Sequence, residues 1–351
     1  MTGPAVAVVI PARNAEATLA DAVASALTQK VEGGLEVCIA VGPSLDRTAE
    51  VARSLARDDP RISAVNNPAG VTAAGLNLAI RATTGPLVVR LDAHAVLDDG
   101  YVAAAVASLE RTGAVNVGGR QDPRGGSPFE EAAGAAMTSR FGAGDARYRT
   151  GGLAGPVDTV YLGVFRRDAL EAVGLFDEAL VHNQDAELNW RLREAGGVGF
   201  FDPSLAVGYR PRSTMVALAS QYFGYGRWRR VVVARHPRSL RLRQVVPPVV
   251  FTGVVAGLAG GWFWAPLFLL PVAYGTAVVV ASVAVGRRSG RAFRLLGVFP
   301  TMHLAWASGF LVGQPLGSMV GGPAPAPRRP RRRRGRPGWG RRRSLDPPEA
   351  R

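Results

Sequence analysis

The sequence has a single cysteine, Cys38, and almost no acidic residues after Asp202. One cysteine excludes a disulfide framework and any multi-cysteine zinc or iron–sulfur site. Because Cys38 lies in the apolar run LEVCIAV, we expect an inert thiol in the core. Between Asp202 and Asp346 there is no aspartate or glutamate at all.

Charge is therefore distributed very unevenly along the chain. Residues 1–202 carry 18 Lys and Arg against 25 Asp and Glu, a balance of −7, whereas residues 203–351 carry 24 against 2, a balance of +22. In the basic part, arginines alternate with long uncharged runs. This layout favours membrane insertion over a soluble nucleic-acid groove, so no nucleic-acid partner is expected.

The longest uncharged run, residues 244–286, predicts a transmembrane hairpin. As a helix it would extend roughly 65 Å, against a hydrocarbon core of about 30 Å, so two crossings fit. Residues 260–266, GGWFWAP, combine turn-forming residues with two tryptophans and mark the turn. Arginines flank the hairpin on both sides, which places residues 1–240 in the cytoplasm, including an interfacial region at about 213–240. We expect a multi-pass protein of the plasma membrane.

A further uncharged run leaves two alternatives open. A third span at about 295–320 would export a tail with ten arginines between Arg328 and Arg343, against the positive-inside rule. The other alternative is a re-entrant or interfacial segment, because glycine and proline recur through this run. The Pro- and Arg-rich tail, residues 323–351, predicts disorder, and anionic lipid is its expected partner.

The first 200 residues alternate short apolar runs with longer helical patterns. Strands are predicted at 6–10, 35–41, 62–65, 87–91 and 114–117, and helices at 15–28, 48–57, 73–81 and 101–111. Strands separated by single helices indicate an α/β fold with a mostly parallel sheet and helices on both faces. No GxGxxG follows a strand and no GxxxxGK[ST] occurs, which disfavours dinucleotide enzymes and nucleoside triphosphatases.

Ligands of such sheets bind beyond the carboxyl ends of the strands, so the polar residues there are candidate site residues. They follow the first three predicted strands: Arg13 and Asn14, Ser44 and Asp46, Asn66 and Asn67.

The fourth strand ends in the sequence VVRLDAH, which places Asp92 and His94 two residues apart. Alternate residues of an extended chain point the same way, so both side chains can meet one ion. Carboxylate and imidazole together suit Mn²⁺ or Mg²⁺ bridging a diphosphate. A capped turn, with Asp92 bonded to backbone amides, is the structural alternative.

A second candidate lies in HNQDAELNWRLR, where apolar residues recur at helical spacing and Asp185 falls in the first turn. Exposed backbone amides and the helix dipole would hold a carboxylate there. Such a carboxylate can take a proton from an attacking hydroxyl. A simple helix cap is the structural alternative.

Several motifs occur together in an order that resembles the family 2 glycosyltransferases of the GT-A fold. They are VVIPARN, SLDRT, GLNLAIRATTG leading into VRLDAHA, FRRDALEAVGLFDE and NQDAELNWRLREAGG, and they lie within residues 4–240. The DAHA and QDAELNWR forms are most similar to the succinoglycan-type bacterial polysaccharide transferases. The sequence QYFGYGRW, with Gln221, Arg227 and Trp228, resembles the QxxRW element of membrane-bound members.

This resemblance implies an inverting transfer from a nucleotide-sugar donor, with a divalent metal at Asp92 and His94 and a general base at Asp185. It also implies substrate contacts in these motifs: Pro11, Arg13, Asn14, Ser44, Asp46, Asn77, Arg90, Asp92, Gln184, Gln221, Arg227 and Trp228.

The predicted function is a membrane-bound glycosyltransferase that moves a hexose onto a lipid-linked saccharide or cell-surface glycan precursor. Two alternatives stay open. One is direct transfer to a polyprenyl phosphate. The other is a non-catalytic membrane-associated binding protein that retains the fold.

Overall fold

The computed structural model describes residues 5–287 and 290–313, so the predicted tail at 323–351 lies outside the described residues. The strands are β1 Val6–Ala12, β2 Leu35–Val41, β3 Ile62–Asn66, β4 Leu87–Arg90, β5 Val96–Leu97, β6 Asn116–Pro123, β7 Gly155–Val157, β8 Tyr161–Arg166 and β9 Gly199–Tyr209. The helices are α1 Leu19–Leu27, α2 Thr48–Asp58, α3 Thr72–Arg81, α4 Tyr101–Thr112, α5 Pro128–Thr138, α6 Arg140–Ala143, α7 Arg147–Thr150, α8 Arg167–Ala172, α9 Gln184–Glu194, α10 Met215–Arg235, α11 Leu242–Gly260, α12 Leu269–Gly286 and α13 Ala292–Val312.

The strands form one mixed sheet in the order β3-β2-β1-β4-β8-β6-β9-β5, with β7 paired to β9. β3, β2, β1 and β4 are parallel, as predicted. β8 is antiparallel to both β4 and β6, whereas β6 and β9 are parallel, so the second half of the sheet is mixed. The carboxyl ends of β1 and β4 lie side by side at the point where strand order reverses.

Helices cover both faces of the sheet, as predicted. The alternating side chains of β1 enter opposite cores: Val8 packs with residues of α1, α2 and α4, and Val9 with residues of α3, α8 and α9. A strand buried on both faces explains the continuous apolar run at the start of the sequence. Cys38 is fully buried in the second of these cores, which agrees with the expected inert thiol.

The C-terminal part contains three helices that are long and apolar enough to cross a membrane: Leu242–Gly260, Ala265–Gly286 and Ala292–Val312. The first two contain α11 and α12 and are joined by a short turn at the predicted position. Trp262, Phe263 and Trp264 are largely exposed at this turn. Aromatic side chains at such a position are typical of a membrane interface.

The last helix, α13, is attached to the N-terminal domain at both of its ends. At its start, Arg291 pairs with Glu131 of α5 at 2.9 Å. At its end, Arg227 donates to the carbonyl oxygen of Gly313 at 3.0 Å, and Arg230 donates to that of Leu311 at 2.7 Å. These arginines satisfy carbonyl groups that a helix C-terminus leaves unpaired.

Helices α10 and α13 cross at two glycines that admit no side chain. A Cβ atom on Gly226 would lie 1.9 Å from the carbonyl oxygen of Trp306, and one on Gly309 would lie 2.0 Å from that of Phe223.

We therefore expect Gly226→Ala and Gly309→Ala to destabilise the protein by about 1–3 kcal/mol, the usual cost of overpacking. Thermal unfolding in detergent would measure this. Gly275→Ala in α12, where a Cβ meets nothing within 4 Å, is the control and should leave the midpoint unchanged or higher.

Candidate active site

A large cavity of about 1540 Å³ opens at the carboxyl ends of β1 and β4 and continues along α10 to α11 and α12. Its sheet end is lined by Pro11, Arg13 and Asn14, followed by Asp92 and His94. Its other end is lined by apolar residues of α11 and α12. One continuous space thus joins the strand ends to the apolar helical region.

Arg90 connects the two candidate carboxylates inside this cavity. It is the last residue of β4 and is 5% exposed. Its guanidinium pairs with Asp92 at 2.9 Å and also with Asp185, which comes from α9. Burial raises the pKa of Asp92, but the charges of Arg90 and His94 outweigh this effect, so the pKa lies below its usual value. Two carboxylates that are far apart in sequence are therefore held together by one buried arginine.

Asp185 is in the first turn of α9 but does not cap the helix. The N-cap is Asn183, whose backbone is left-handed and whose side chain makes no capping hydrogen bond. The Asn183 amide instead donates to the carbonyl oxygen of Tyr225 in α10 at 2.9 Å. Because the Asp185 carboxylate turns to Arg90 and the cavity, the helix-cap interpretation is not supported.

Asp92 and His94 are suited to a divalent cation that also binds phosphate. Both line the cavity, and His94 is exposed. No group of three or more His, Cys, Asp or Glu able to hold a metal occurs within residues 5–287 and 290–313. Mg²⁺ commonly takes one or two protein ligands together with substrate phosphates, and these two side chains fit that type of site.

The loop between β1 and α1 is braced by the loop that follows β2. The hydroxyl of Ser44 accepts from the backbone amide of Asn14 at 3.1 Å, and the Asn14 side chain accepts from the amide of Leu45 at 2.8 Å. Asp46 accepts from the backbone amide of Glu16 at 3.1 Å and from the Thr48 hydroxyl at 2.5 Å. Arg13 and Asn14 therefore line the cavity, while Ser44 and Asp46 lie behind them.

Five of the predicted contact residues lie outside the cavity lining: Ser44 and Asp46, described above, and three others. Asn77 is buried in α3, where its side chain bonds both backbone groups of Phe176, so its role is structural. Arg227 bonds the end of α13, and Trp228 packs against Leu180. Gln184 and Gln221, by contrast, do line the cavity.

Helical periodicity explains which residues of α10 reach the cavity. Gln221, Tyr225 and Arg229 are spaced by four and all line it, whereas Arg227 and Trp228 point to other faces. The side chain of Gln221 donates to the hydroxyls of Tyr209 and Tyr225 at 3.0 Å. Sequence reasoning missed Tyr225 and Arg229, although the four-residue spacing from Gln221 was the signal that could have found them.

Comparison with known proteins decides the family. Residues 7–174 match the family described as "Glycosyl transferase family 2". The chain is also 32% identical over 324 residues to the "Succinoglycan biosynthesis protein ExoA" of Rhizobium meliloti (strain 1021), covering 88% of this chain and 95% of that protein. The chain belongs to glycosyltransferase family 2. The predictions of this family and of a glycosyltransferase are confirmed.

Solved structures agree on the fold of this glycosyltransferase. The mannosyltransferase PcManGT from Pyrobaculum calidifontis, in complex with GDP-Man and Mn²⁺, superposes with a TM-score of 0.58 at 17% identity, covering 88% of this chain and 87% of that chain. Residues 1–349 of S. aureus TarS, in complex with UDP-GlcNAc, give a TM-score of 0.50 at 13% identity, covering 87% and 90%. The predicted GT-A fold is confirmed.

Proposed function

We propose that this glycosyltransferase moves a hexose from a nucleoside-diphosphate sugar to a lipid-linked saccharide, with inversion at the sugar carbon. The observation that carries this proposal is the continuous cavity. It is lined by Asp92 and His94, by Asp185, and by apolar residues of α11 and α12. A water-soluble saccharide acceptor would make few favourable contacts with the apolar end.

The donor would bind at the carboxyl ends of β1 and β4. Arg13 and Asn14 are held there by the adjoining loop, and Asp92 and His94 would hold Mn²⁺ or Mg²⁺. Such an ion neutralises charge that develops on a leaving nucleoside diphosphate. GDP-Man with Mn²⁺ in PcManGT and UDP-GlcNAc in TarS support a nucleotide-sugar donor.

Asp185 would take the proton of the attacking acceptor hydroxyl. It stands on the rigid helix α9, and Arg90 fixes its carboxylate beside Asp92. A base on the side of the sugar opposite the leaving diphosphate produces inversion in a single displacement. Arg90, by pairing with both carboxylates, would set the distance between base and diphosphate.

The acceptor would enter from the membrane side. Val246, Val250 and Ala277 are among the apolar residues that line this end of the cavity, and they belong to helices suited to a bilayer. The relative ExoA is named for succinoglycan biosynthesis, which supports a polysaccharide product. Direct transfer to a polyprenyl phosphate would use the same apolar end and is one outcome of the test below.

A donor screen tests this function. Purified full-length protein in detergent would be given a panel of nucleotide-sugars with Mn²⁺ or Mg²⁺, and release of nucleoside diphosphate would be measured. We expect release from one class of donor, and we expect a lipid-linked saccharide to stimulate it. Stimulation by polyprenyl phosphate alone would identify the alternative acceptor. No release with any donor would contradict the proposal.

We further propose that the N-terminal domain and both ends of α13 lie on the cytoplasmic side of the plasma membrane, and that α13 lies along the membrane surface without crossing it. The support is that both ends of α13 bond the N-terminal domain, through Glu131 at one end and Arg227 at the other. His303, in its middle, bonds the carbonyl oxygen of Phe141 at 2.9 Å. A crossing helix would carry its two ends to opposite sides of the bilayer.

Single introduced cysteines would test this topology, because the one native cysteine is buried. We expect an impermeant thiol reagent to label Phe263→Cys in intact cells. Arg238→Cys and Ser344→Cys should react only after permeabilisation. Labelling of Ser344→Cys in intact cells would mean that α13 crosses the membrane as a third span.

A further inference from the structure

Among the arginines that line the cavity, Arg193 and Arg229 contact no carboxylate within residues 5–287 and 290–313. The same holds for Arg149, which instead bonds the hydroxyl of Tyr222 at 2.9 Å. Arg229 is 4% exposed, and its guanidinium donates to the hydroxyl of Ser239 at 3.0 Å and to the carbonyl oxygen of the same residue. Arg193 lies 5.1 Å from the ring centroid of Trp190. The Nε atom of each arginine is buried without a hydrogen-bond partner. Buried donors without partners are rare and need an explanation.

Arg193 and Arg229 form an arginine cluster together with Arg241 and Arg243 at the start of α11. Arg243 pairs with Asp145 at 2.7 Å and with Asp158, and Arg241 lies 3.6 Å from Asp158. The charges of three carboxylates, Asp145, Asp158 and Glu194, act on these four guanidinium groups, which leaves a positive excess. Burial, followed by the charge of Arg243, lowers the pKa of Arg229 to about 10. A bound anion would neutralise the positive excess and would stabilise the charged form of Arg229.

The cluster lies between the proposed base and the apolar end of the cavity. Arg193 is eight residues beyond Asp185 in α9, which is roughly 12 Å along the helix axis at about 1.5 Å per residue. On its other side, α11 continues from Arg243 into the lining residues Val246 and Val250. Along the cavity, the lining therefore changes from the Asp185 carboxylate to the arginine cluster and then to aliphatic side chains.

We propose that the arginine cluster binds the phosphate groups that join the acceptor's saccharide to its lipid. This inference rests on the proposed function. The saccharide would then extend from Arg193 to Asp185, and the hydrocarbon chain would lie along α11. Arginine forms strong, charge-assisted hydrogen bonds with phosphate, which suits it to such a site. The donor diphosphate would instead lie with Asp92 at the strand ends.

Binding of radiolabelled farnesyl diphosphate to the full chain in detergent tests the inference. Excess EDTA is included so that a metal ion held by Asp92 and His94 cannot contribute to binding of the probe. We expect saturable binding that Arg193→Gln weakens roughly tenfold to 10²-fold, since a hydrogen bond to a charged group contributes about that factor. Arg193→Lys, which keeps the charge, should lose less. Arg238→Gln, an exposed arginine beside Ser239, and Asp92→Asn should leave binding unchanged.

Competition identifies the source of the phosphate. Inorganic pyrophosphate should displace the probe weakly, and UDP or GDP should displace it no better than pyrophosphate does. Equal binding by wild type and Arg193→Gln would overturn the inference. So would displacement by UDP or GDP at lower concentrations than pyrophosphate, or loss of binding in a folded Asp92→Asn variant. Arg229→Gln should weaken binding as Arg193→Gln does. Because Arg229 is buried, this variant could fail to fold, and the partly exposed Arg193 then decides the result.

A separate measurement distinguishes failure of the inference from failure of the proposed function. Slow donor hydrolysis without acceptor, followed with metal present, should be the same in Arg193→Gln as in wild type. If wild type hydrolyses no donor, the proposed function fails whatever the outcome of the binding test. If hydrolysis is intact and farnesyl diphosphate does not bind, only the anion site is wrong.

Discussion

Asp185→Asn should retain donor binding and lose turnover by roughly 10²- to 10⁴-fold, the usual contribution of a positioned proton acceptor. The substitution keeps the shape of the side chain and removes its basicity. Arg90 would still pair with Asp92, so the site should stay assembled. Steady-state transfer rates together with donor affinity, measured with the purified enzyme in detergent, would check both parts of this result.

The matched control is Asp99→Asn. Asp99 is exposed just before α4, and therefore lies near a helix start as Asp185 does, but it is not part of the cavity lining. Its substitution should change neither rate nor affinity. Transfer at near wild-type rate by Asp185→Asn would show that another group takes the proton. An unfolded variant would indicate a structural role for the carboxylate in holding α9 to β4.

Asp92→Ala should reduce metal-dependent transfer by roughly 10²-fold or more, because a metal ion contributes several kcal/mol of charge stabilisation. The substitution removes the carboxylate ligand and also leaves the buried Arg90 with Asp185 alone. His94→Ala should have a smaller effect, raising the Mn²⁺ concentration needed for half-maximal rate. Titrations of Mn²⁺ and Mg²⁺ at saturating donor would measure both effects.

Chelation provides the independent check on the metal. Wild-type activity should disappear in excess EDTA and return when Mn²⁺ or Mg²⁺ is added. Full activity in EDTA would contradict a metal at Asp92. If His94→Ala behaves as wild type at all Mn²⁺ concentrations, the imidazole instead packs against Tyr209, whose ring centroid is 6.3 Å away.

Sequence alone determined the first half of the sheet and the two helices of the hairpin. These segments depend on local patterns: continuous apolar runs for β1 and β2, which are buried on both faces, and long uncharged runs for α11 and α12. Asp92 could be singled out because it directly follows a recognisable strand. Asp185 could be singled out because it begins a helix with clear apolar spacing.

The direction of β8 and the side chains that α10 presents to the cavity were decided by the tertiary structure. Strand direction depends on how the chain returns to the sheet, which a short apolar segment does not encode. The resemblance of QYFGYGRW to the QxxRW element predicted substrate contacts at Arg227 and Trp228. In the structure, the packing of α10 places Arg229 in the cavity lining, and Arg227 bonds the end of α13. Which arginines of the basic half pair with carboxylates, and which lack such a partner, depends on contacts across more than 30 residues of sequence. Only the folded chain therefore distinguishes Arg229, which pairs with no carboxylate within residues 5–287 and 290–313, from Arg243, which pairs with Asp145 and Asp158.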